Sequence, residues 1–377
     1  MSLSSDDNIN SLAPLPAQND SESPTSGDGS ATTSVYPSGL ARRSSTTLAS
    51  LRDPRASMSI DISSTPTPQS DFYDDVLCGL TKTPKTISSK YLYDDRGSRL
   101  FHEICDLPEY YLTRSELRLT RERADDIAAQ IGFRARLVEL GVGRGIKTRL
   151  MLDSLHELES YIPVDISPKE LQRCVGALRN EYPHLRINPL CEDYTSEFRL
   201  PHNGYEGRTA FYYPGSTIGN FSPAQAGTFL EGLSQMAGPR GAMVIGVDLD
   251  KDPAILHSAY NDSRGVTAAF NRNLLRRINR ECNADFDLDT FHHHAVYQPD
   301  EHRIEMRLIS TCAQTVNFPT SCIEFDAGEY IVTEHSHKYT IEDFALLCEE
   351  SGWRTRSLWT DNRGFFSIWY LENTWRH

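Results

Sequence analysis

The part of the sequence that most constrains the fold is a strand, a glycine-rich turn and a helix in direct succession. Residues 136–140 (RLVEL) are mostly apolar and predict a short buried strand, and residues 146–152 begin a helical pattern. Three glycines separate the two, Gly141, Gly143 and Gly145. Because glycine lacks a Cβ, such a turn brings bare backbone close to a ligand. The stretch therefore predicts a ligand site at the end of the strand.

The spacing of these glycines separates the chain from the dinucleotide-binding folds. Those folds use G-x-G-x-x-G, whereas this turn has G-x-G-x-G with an acidic residue, Glu139, inside the preceding strand. The combination resembles the first motif of class I S-adenosylmethionine-dependent methyltransferases. A glycine turn after a strand is also an ordinary connection in α/β proteins, so the turn alone does not decide between the two interpretations.

Strands and helices alternate from residue 136 to about 250, which is typical of a doubly wound parallel sheet. The pattern predicts strands at 136–140, 161–164, 187–190, 210–213 and 242–247, and helices at 146–157, 168–181 and 223–236. Further along, it predicts helical structure at 251–281, β segments at 303–334, a capped helix at 340–351, and strands near 355–360 and 365–371. Ligands of such sheets bind beyond the carboxyl ends of the strands, so residues that follow strands are candidate site residues.

The chain before the sheet has two parts. Residues 1–70 are rich in Ser, Thr and Pro and poor in large apolar side chains, so we predict that they are disordered. Ser44 and Ser45 follow an arginine pair there and resemble a kinase site, although a solvated tail with a chance arginine pair is the favoured interpretation. Folded character begins near Asp71, with helical spacing over 72–80 and 100–105. Further on, the T-x-x-E pattern at 113–116 predicts a capping box that opens a helix to about residue 131.

The charge and the cysteines argue against several classes of function. The net charge is −14, whereas nucleic-acid and anionic-membrane partners favour a basic surface. The sequence has no run of 18 apolar residues, no apolar signal segment at its start, and no CxxC pair among its eight cysteines. We expect a cytoplasmic, monomeric protein with reduced thiols and with neither a nucleic-acid nor a membrane partner.

Two carboxylates at predicted strand ends are candidate ligand contacts. Asp165 lies 24 residues after Gly141, where a carboxylate can accept both ribose hydroxyls of an adenosyl group. Its alternative role is a helix N-cap, because a Ser-Pro pair follows closely. Asp193 can accept from an adenine amino group while Tyr194 packs beside the ring. For this second carboxylate, a plain loop position is an equal alternative.

The turn Gly215–Asn220 follows the predicted strand at 210–213. Its asparagine, Asn220, can bind the ammonium or carboxylate group of a substrate. Nucleic-acid and glutamine methyltransferases carry an Asn/Asp-Pro-Pro-Tyr signature at this place, and the signature is missing here. Its absence counts against methylation of a base or an amide.

Two groups of histidines raise different questions. His292–His294 invite a metal interpretation, but adjacent residues of an extended segment point to opposite faces and no acidic partner has ligand spacing, so we predict no metal. The same alternation separates His335 from Glu334 and Ser336, which share one side. A glutamate beside a serine is a donor/acceptor pair suited to an imidazole ring. A half-exposed strand face is the alternative, and the residues alone leave it open.

Longer motifs make the family resemblance specific. In order, they are YDDRGSRLF, LPEYYLTRSE, ELGVGRGIKT, PVDIS, PGSTIGNF, AAFNRNLLRRINRE, ADFDLD, HRIEMRL and EHSHKY. Together they resemble the histidine-specific Nα-methyltransferases of ergothioneine biosynthesis, from about residue 72 to the C-terminus. The family often has a small polar residue where Val142 and Arg144 stand. Neither departure affects a glycine, so we expect altered loop packing and little change in chemistry.

The resemblance implies an α/β fold with two domains and a set of site residues. The domains are a Rossmann-like class I methyltransferase domain, 115–249 with 340–377, and a second, α+β substrate-binding domain, 72–114 with 250–339. The implied cofactor is S-adenosylmethionine, with S-adenosylhomocysteine as its product and no metal. The implied cofactor-binding residues are Gly141, Gly143, Lys147, Asp165, Asp193 and Tyr194. The implied substrate-binding residues are Tyr93, Phe101, Tyr110, Asn220, Tyr260, Met306, Glu334, His335 and Ser336, with Asn220 and Tyr260 as catalytic candidates.

The resemblance also implies a reaction and a role for each substrate contact. Three methyl groups would pass from S-adenosylmethionine to the α-amino group of L-histidine and give hercynine, a task of positioning and desolvating an unprotonated amine. Asn220 would hold the amino and carboxylate end, Tyr260 the carboxylate, and Glu334 with Ser336 the imidazole nitrogens. Met306 would pack under the ring. The proton acceptor, a water or a tyrosine hydroxyl, stays open.

Two alternatives accompany this interpretation. One is an N-methyltransferase for tryptophan or another aromatic amino acid on the same scaffold, although an indole pocket has no use for Glu334. The other is a catalytically silent relative that binds S-adenosylmethionine and acts through its tail. The glycines of the turn, Asp165, Asn220 and Tyr260 are all retained, which disfavours the silent relative.

Overall fold

The structure, a computed structural model, describes residues 69–196, 198–201 and 204–374. The predicted disordered tail, with Ser44 and Ser45, lies outside these residues except at its end, where a helix begins at Gln69. Up to residue 248 the elements are α1 Gln69–Leu80, β1 Lys85–Thr86, α2 Asp95–Cys105, α3 Tyr111–Ile131, β2 Arg136–Leu140, α4 Ile146–Ser154, β3 Ser160–Val164, α5 Pro168–Glu181, β4 Thr209–Tyr213, α6 Pro223–Ala237 and β5 Ala242–Asp248. The remaining elements are α7 Pro253–Tyr260, α8 Val266–Cys282, β6 Phe291–Gln298, β7 Arg303–Ser310, β8 Gln314–Asn317, β9 Cys322–Phe325, β10 Tyr330–His337, α9 Ile341–Glu350, β11 Trp353–Thr360 and β12 Phe366–Asn373.

Six of these strands form one sheet in the order β11-β12-β5-β4-β2-β3. The strands from β5 to β3 are parallel neighbours, and β12 runs antiparallel to both β5 and β11. Because β3 lies on one side of β2 and β4 on the other, the strand order reverses at β2, and open α/β sheets bind ligands at this kind of reversal. The predicted Rossmann-like α/β class is confirmed.

Both faces of this sheet are covered, which explains why its central strands are apolar throughout. On one face, Leu137 and Tyr212 pack in a buried cluster with side chains of α3, α4 and α5. On the other face, Val138 and Phe211 pack with side chains of α6 and α9. Alternate residues of β2 and β4 thus point to opposite layers.

A second sheet of four strands has the order β1-β10-β7-β6, and β8 pairs with β9 as a separate hairpin. Its core contains side chains of α1, α2, α7 and α8. The register between β10 and β7 shifts between Val332 and Glu334 and is regular from Glu334 to His337. Glu334 and Ser336 therefore lie on one face of the strand, and His335 lies on the other. The division into two domains at the predicted boundaries stays a proposal.

Two predictions about single elements were wrong for physical reasons. The helix predicted to start with a capping box at 113–116 begins earlier, at Tyr111, so Thr113 and Glu116 lie inside it. The predicted strand 187–190 is reduced to two isolated bridges to β3. Asn188 and Leu190 still donate to carbonyl oxygens of β3, but Pro163 in β3 has no N–H to donate back between them. The predicted helical structure at 251–281 is confirmed and consists of two helices, α7 and α8, separated by a turn that ends at Gly265, where φ is +69°.

Among the described helices, none combines the length and the apolar character that crossing a bilayer needs.

Candidate active site

A cavity of about 910 Å³ lies at the carboxyl edge of the six-stranded sheet, between the turns after β2, β3 and β4 and the strand β10. Twelve of the predicted site residues line it: Tyr93, Phe101, Tyr110, Gly141, Gly143, Lys147, Asp165, Asp193, Tyr194, Asn220, Glu334 and His335. Three predicted residues do not line it and are buried beside its wall, Tyr260, Met306 and Ser336. The volume is sufficient for a cofactor and a small substrate together.

The glycine turn presents bare backbone to this cavity. Gly143 has a φ of +48°, in the left-handed region that favours glycine, and a Cβ added there would meet nothing within 4 Å. Gly145 has a φ of +65°, and a Cβ added there would lie 2.8 Å from the sulfur of Cys174. The first glycine leaves room for a ligand, and the second allows α4 to pack closely on α5.

Glu139 holds the glycine turn from inside the sheet. Its Oε1 accepts a hydrogen bond from the Thr148 hydroxyl at 2.9 Å, and its Oε2 accepts one from the Tyr161 hydroxyl at 2.6 Å. Burial raises the pKa of the Glu139 carboxyl to about 7, although both hydrogen bonds lower it. The acid of the motif therefore ties β2 to α4 and β3.

Asp165 follows β3 and faces the same turn. Its Oδ2 accepts from the backbone N–H of Val142 at 3.1 Å, and its Oδ1 accepts from that of Ser167 at 2.8 Å. The N-cap of α5 is Ser167, so the alternative capping role does not belong to Asp165. Burial raises the pKa of this carboxyl to about 6 against the backbone hydrogen bonds that lower it. The backbone N–H of Gly143 also acts on this carboxylate, and the lone pairs that these donors leave are available to a ligand hydroxyl.

Asp193 and Tyr194 stand across from the glycine turn. Asp193 Oδ2 accepts from the Lys90 ammonium at 3.2 Å, a contact that joins the short 3₁₀ helix Ser89–Leu92 to the loop that contains Asp193. The Tyr194 hydroxyl would lie 3.4 Å from a Cβ added to Gly141, so the tyrosine covers that glycine. Lys90 was not predicted, because a lysine in a polar linker carries no signal for a contact this distant in sequence.

Glu116 is a buried site residue whose role was predicted wrongly. Its Oε1 accepts from the backbone N–H of Gly215 at 2.7 Å, and its Oε2 pairs with the Lys147 ammonium. The carboxylate thus anchors the turn after β4 to α3 and holds the lysine beside the glycine turn. A T-x-x-E pattern fits a capping box as well as it fits a buried acid, so the local sequence did not distinguish the two.

The half of the cavity near β10 contains polar groups without partners. The Glu334 carboxylate and the Asn220 amide make no hydrogen bond within the part of the chain that the structure describes, and neither do the hydroxyls of Tyr93 and Tyr110. Burial raises the pKa of the Glu334 carboxyl to about 7, against the charge of Lys338, which lowers it. Unpaired groups of this kind, gathered in one cavity, point to a polar ligand.

Aromatic rings connect these polar groups. The ring centroids of Tyr93 and Phe101 are 5.4 Å apart, those of Phe101 and Tyr110 are 6.3 Å apart, and those of Tyr110 and Tyr260 are 6.1 Å apart. Met306 is buried and pairs in register with Glu334 across β7 and β10. The wall is apolar between its polar tips, which suits a planar ring.

A buried ionic cluster lies behind this wall and was not predicted. The Lys338 ammonium lies 2.8 Å from Asp248 Oδ2, 2.8 Å from the Ser336 hydroxyl and 3.0 Å from the Tyr260 hydroxyl. Asp248 also accepts from Lys251 at 2.8 Å. The one local signal was that Lys338 belongs to the EHSHKY motif. The predicted roles went to Glu334, His335 and Ser336 of that motif.

The histidines have structural partners. The ring of His335 lies 3.6 Å from Glu305 on the neighbouring strand, so it points away from the Glu334 face. In the triple, His293 Nε2 lies 2.9 Å from the carbonyl oxygen of Tyr260 and His293 Nδ1 lies 2.9 Å from the Asn271 side-chain amide. Among the described residues, no three His, Cys, Asp or Glu side chains are placed to share a metal ion.

Comparison with known proteins identifies relatives over most of the chain. A family model described as histidine-specific methyltransferase, S-adenosylmethionine-dependent, matches residues 72–373. The histidine N-alpha-methyltransferase of Mycolicibacterium smegmatis is 42% identical over 300 residues, which cover 78% of this chain and 92% of the relative. That of Mycobacterium tuberculosis is 40% identical over 299 residues, with the same coverage. Ergothioneine biosynthesis protein 1 of Neurospora crassa is 35% identical over 202 residues, 52% of this chain and 23% of that protein.

These matches confirm the resemblance that the motifs indicated. The match to the family model extends over both sheets and over the turns that line the cavity. The chain belongs to the family of histidine-specific, S-adenosylmethionine-dependent methyltransferases.

Proposed function

We propose that this protein transfers methyl groups from S-adenosylmethionine to the α-amino group of L-histidine, three times, to give hercynine for ergothioneine biosynthesis. The observation that carries the proposal is the unpartnered Glu334 carboxylate, which faces the same cavity as the glycine turn in a chain of this family. The finer predictions belong to the same proposal: a monomeric, cytoplasmic enzyme that needs no metal and releases S-adenosylhomocysteine.

The residues around the glycine turn fit the cofactor. S-adenosylmethionine supplies an activated methyl group on a sulfonium. Gly141 and Gly143 would let its amino-acid chain approach the backbone, and Asp165 would accept the ribose hydroxyls with its remaining lone pairs. Asp193 would accept from the adenine amino group, with Tyr194 against the ring.

The residues near β10 fit a histidine. Glu334 would accept a ring N–H, and the aromatic wall of Tyr93, Phe101 and Tyr110 would enclose the imidazole. Tyr260 would donate to the carboxylate. Asn220, at the end of the 3₁₀ helix Thr217–Asn220, lines the same cavity as this wall and the glycine turn, and it would contact the amino group that must lie near the methyl donor.

The chain's contribution to the chemistry is positioning. The Asn220 side-chain oxygen can accept an amine N–H and so direct the nitrogen lone pair towards the donor, which is the geometry that methyl transfer requires. Burial raises the pKa of the Tyr93 and Tyr110 hydroxyls well above the usual value, so both stay protonated near neutral pH. They are therefore hydrogen-bonding groups, and a water is the better candidate for the proton acceptor.

The proposal is tested by mass spectrometry of amino acids incubated with S-adenosylmethionine and the purified protein. We expect histidine to gain three methyl groups and tryptophan to gain none. Methylation of another amino acid in place of histidine would reject the substrate and keep the cofactor. Cofactor binding without methylation of any amino acid would favour the silent relative.

We expect the Asp165→Asn variant to bind S-adenosylmethionine about tenfold more weakly, because one acceptor for the ribose hydroxyls is replaced by a donor. Isothermal titration calorimetry measures the effect. Asp153→Asn is the matched control, because Asp153 is exposed on α4 and does not line the cavity. Equal affinities in the two variants would contradict the ribose assignment.

A further inference from the structure

We propose that Lys338 is a positioning residue for the α-carboxylate of the substrate, which it holds through the hydroxyls of Tyr260 and Ser336. The inference rests on the proposed function and deepens it. It names the group that makes the site select an amino acid with a free carboxylate over an amine that has the same ring.

The first support is a count of hydrogen-bond donors and acceptors. An ammonium has three N–H donors, and those of Lys338 are directed to Asp248, Ser336 and Tyr260. The hydroxyl oxygens of Tyr260 and Ser336 are 2.8 Å apart and share one hydroxyl hydrogen. The second hydroxyl hydrogen has no acceptor among the residues that the structure describes.

This count fixes what the hydroxyl pair can bind. Both hydroxyl oxygens already accept a hydrogen bond from Lys338. The pair can therefore donate one further hydrogen bond but has few lone pairs left to accept one. It therefore suits an acceptor such as a carboxylate and does not suit an imidazole N–H. Ser336 then belongs to the carboxylate end of the site, and the ring is left to Glu334.

The second support is charge. Lys338 is fully buried, and its one carboxylate partner, Asp248, is shared with Lys251 and with the hydroxyl of Tyr111. Burial is the largest single effect and lowers the pKa of the Lys338 ammonium, but the charge of Asp248 and the interactions with Asp248 and Tyr260 together outweigh it and keep the group protonated.

The two ammonium groups of the cluster are not equivalent. Lys251 has a second carboxylate nearby, Asp250, whose charge favours its protonated form, and it donates hydrogen bonds to Tyr111 and Asp248. Lys338 donates to both hydroxyls of the pair, and the carboxylates whose charges act on it are Asp248 and Glu334. The charge of Lys338 is therefore the one closest to an anion that binds at the hydroxyl pair.

The third support is spacing along β10. Glu334 and Ser336 are two residues apart on one face of a regular strand, a separation of about 6.6 Å. A histidine that lies along the strand can place its ring at Glu334 and its carboxylate at Ser336. Tyr260 reaches the same end, and its ring packs against Tyr110 of the cavity wall.

The test compares histidine with histamine, which has the same ring and amine but lacks the carboxylate. Their affinities are measured by calorimetry on the full chain saturated with S-adenosylhomocysteine. We expect Lys338→Met to reduce the preference for histidine at least about tenfold, since a charge-assisted contact is lost. Lys251→Met is the matched control. This variant removes another ammonium group that pairs with Asp248, but one that does not contact Tyr260 or Ser336. We therefore expect it to keep the preference for histidine over histamine.

Two results would overturn the inference while the proposed function stands: a folded Lys338→Met protein with an unchanged preference, or an equal loss in both lysine variants. If Lys338→Met does not fold, a double variant, Lys338→Met with Asp248→Asn, removes both charges of the buried pair. Its ratio of histidine affinity to histamine affinity is then compared with that of Asp248→Asn alone. If the wild-type protein does not methylate histidine, the proposed function fails and the inference fails with it.

Discussion

The Glu334→Ala variant is expected to methylate histidine with a kcat/KM about 10³-fold below that of the wild-type protein, mainly through a higher KM. Glu334 has no partner within the described part of the chain, so its carboxylate is available to the ring N–H of the substrate. Removing it leaves that N–H buried without an acceptor, which is costly in an apolar enclosure. The rate at saturation changes less, because the carboxylate does not contact the amine.

The same variant should select less sharply between amino acids. A site that must satisfy a polar ring rejects rings that cannot make the hydrogen bond, and this rejection disappears with the acid. We therefore expect measurable methylation of tryptophan or phenylalanine by Glu334→Ala. Separate steady-state assays with each amino acid measure the effect.

A control for folding is available on a neighbouring hairpin. Glu324 is exposed on β9 and does not line the cavity, so Glu324→Ala should match the wild-type protein in all three assays. Both variants should bind S-adenosylmethionine normally. Unchanged histidine turnover in Glu334→Ala would show that the imidazole is held elsewhere.

The cofactor half of the cavity could be predicted because its residues follow strands in a repeating α/β pattern. The glycine turn after β2 and Asp165 after β3 are each marked by local sequence, and parallel strands bring their carboxyl ends to one edge. The bounds of β2 and α5 were predicted to the residue, because apolar runs and a Ser-Pro start are strong local signals.

The rest of the site depends on contacts between distant segments, which no local pattern encodes. Lys338 and Asp248 meet because β10 and β5 end side by side, and the sequence around either residue gives no hint of the other. Glu116 was assigned to a helix cap although it binds the turn at Gly215. Long-range geometry, and not composition, made these acids and this lysine part of the site.

One such long-range contact joins the two halves of the cavity at Gly219. A Cβ added to this glycine would lie 2.7 Å from the carbonyl oxygen of His337 and 3.2 Å from its nitrogen. Its backbone does not have a positive φ, so the constraint is the close approach of the 3₁₀ helix to β10 and not the conformation of the glycine. That helix carries Asn220, and β10 carries Glu334. Gly219 therefore sets the distance between the residues proposed for the amine and for the ring.

We expect Gly219→Ala to lower kcat for histidine about 10²-fold, because a shift of about 1 Å between these contacts misplaces the amine relative to the methyl donor. The affinity for S-adenosylmethionine should change much less, since the glycine turn and Asp165 are held by other contacts. Gly232→Ala is the matched control, because a Cβ on that glycine of α6 meets nothing within 4 Å and an alanine there favours the helix. If Gly219→Ala kept the wild-type kcat while folding normally, the separation of Asn220 and Glu334 would not control the rate, and the amine would have to be positioned by the cofactor side of the cavity alone.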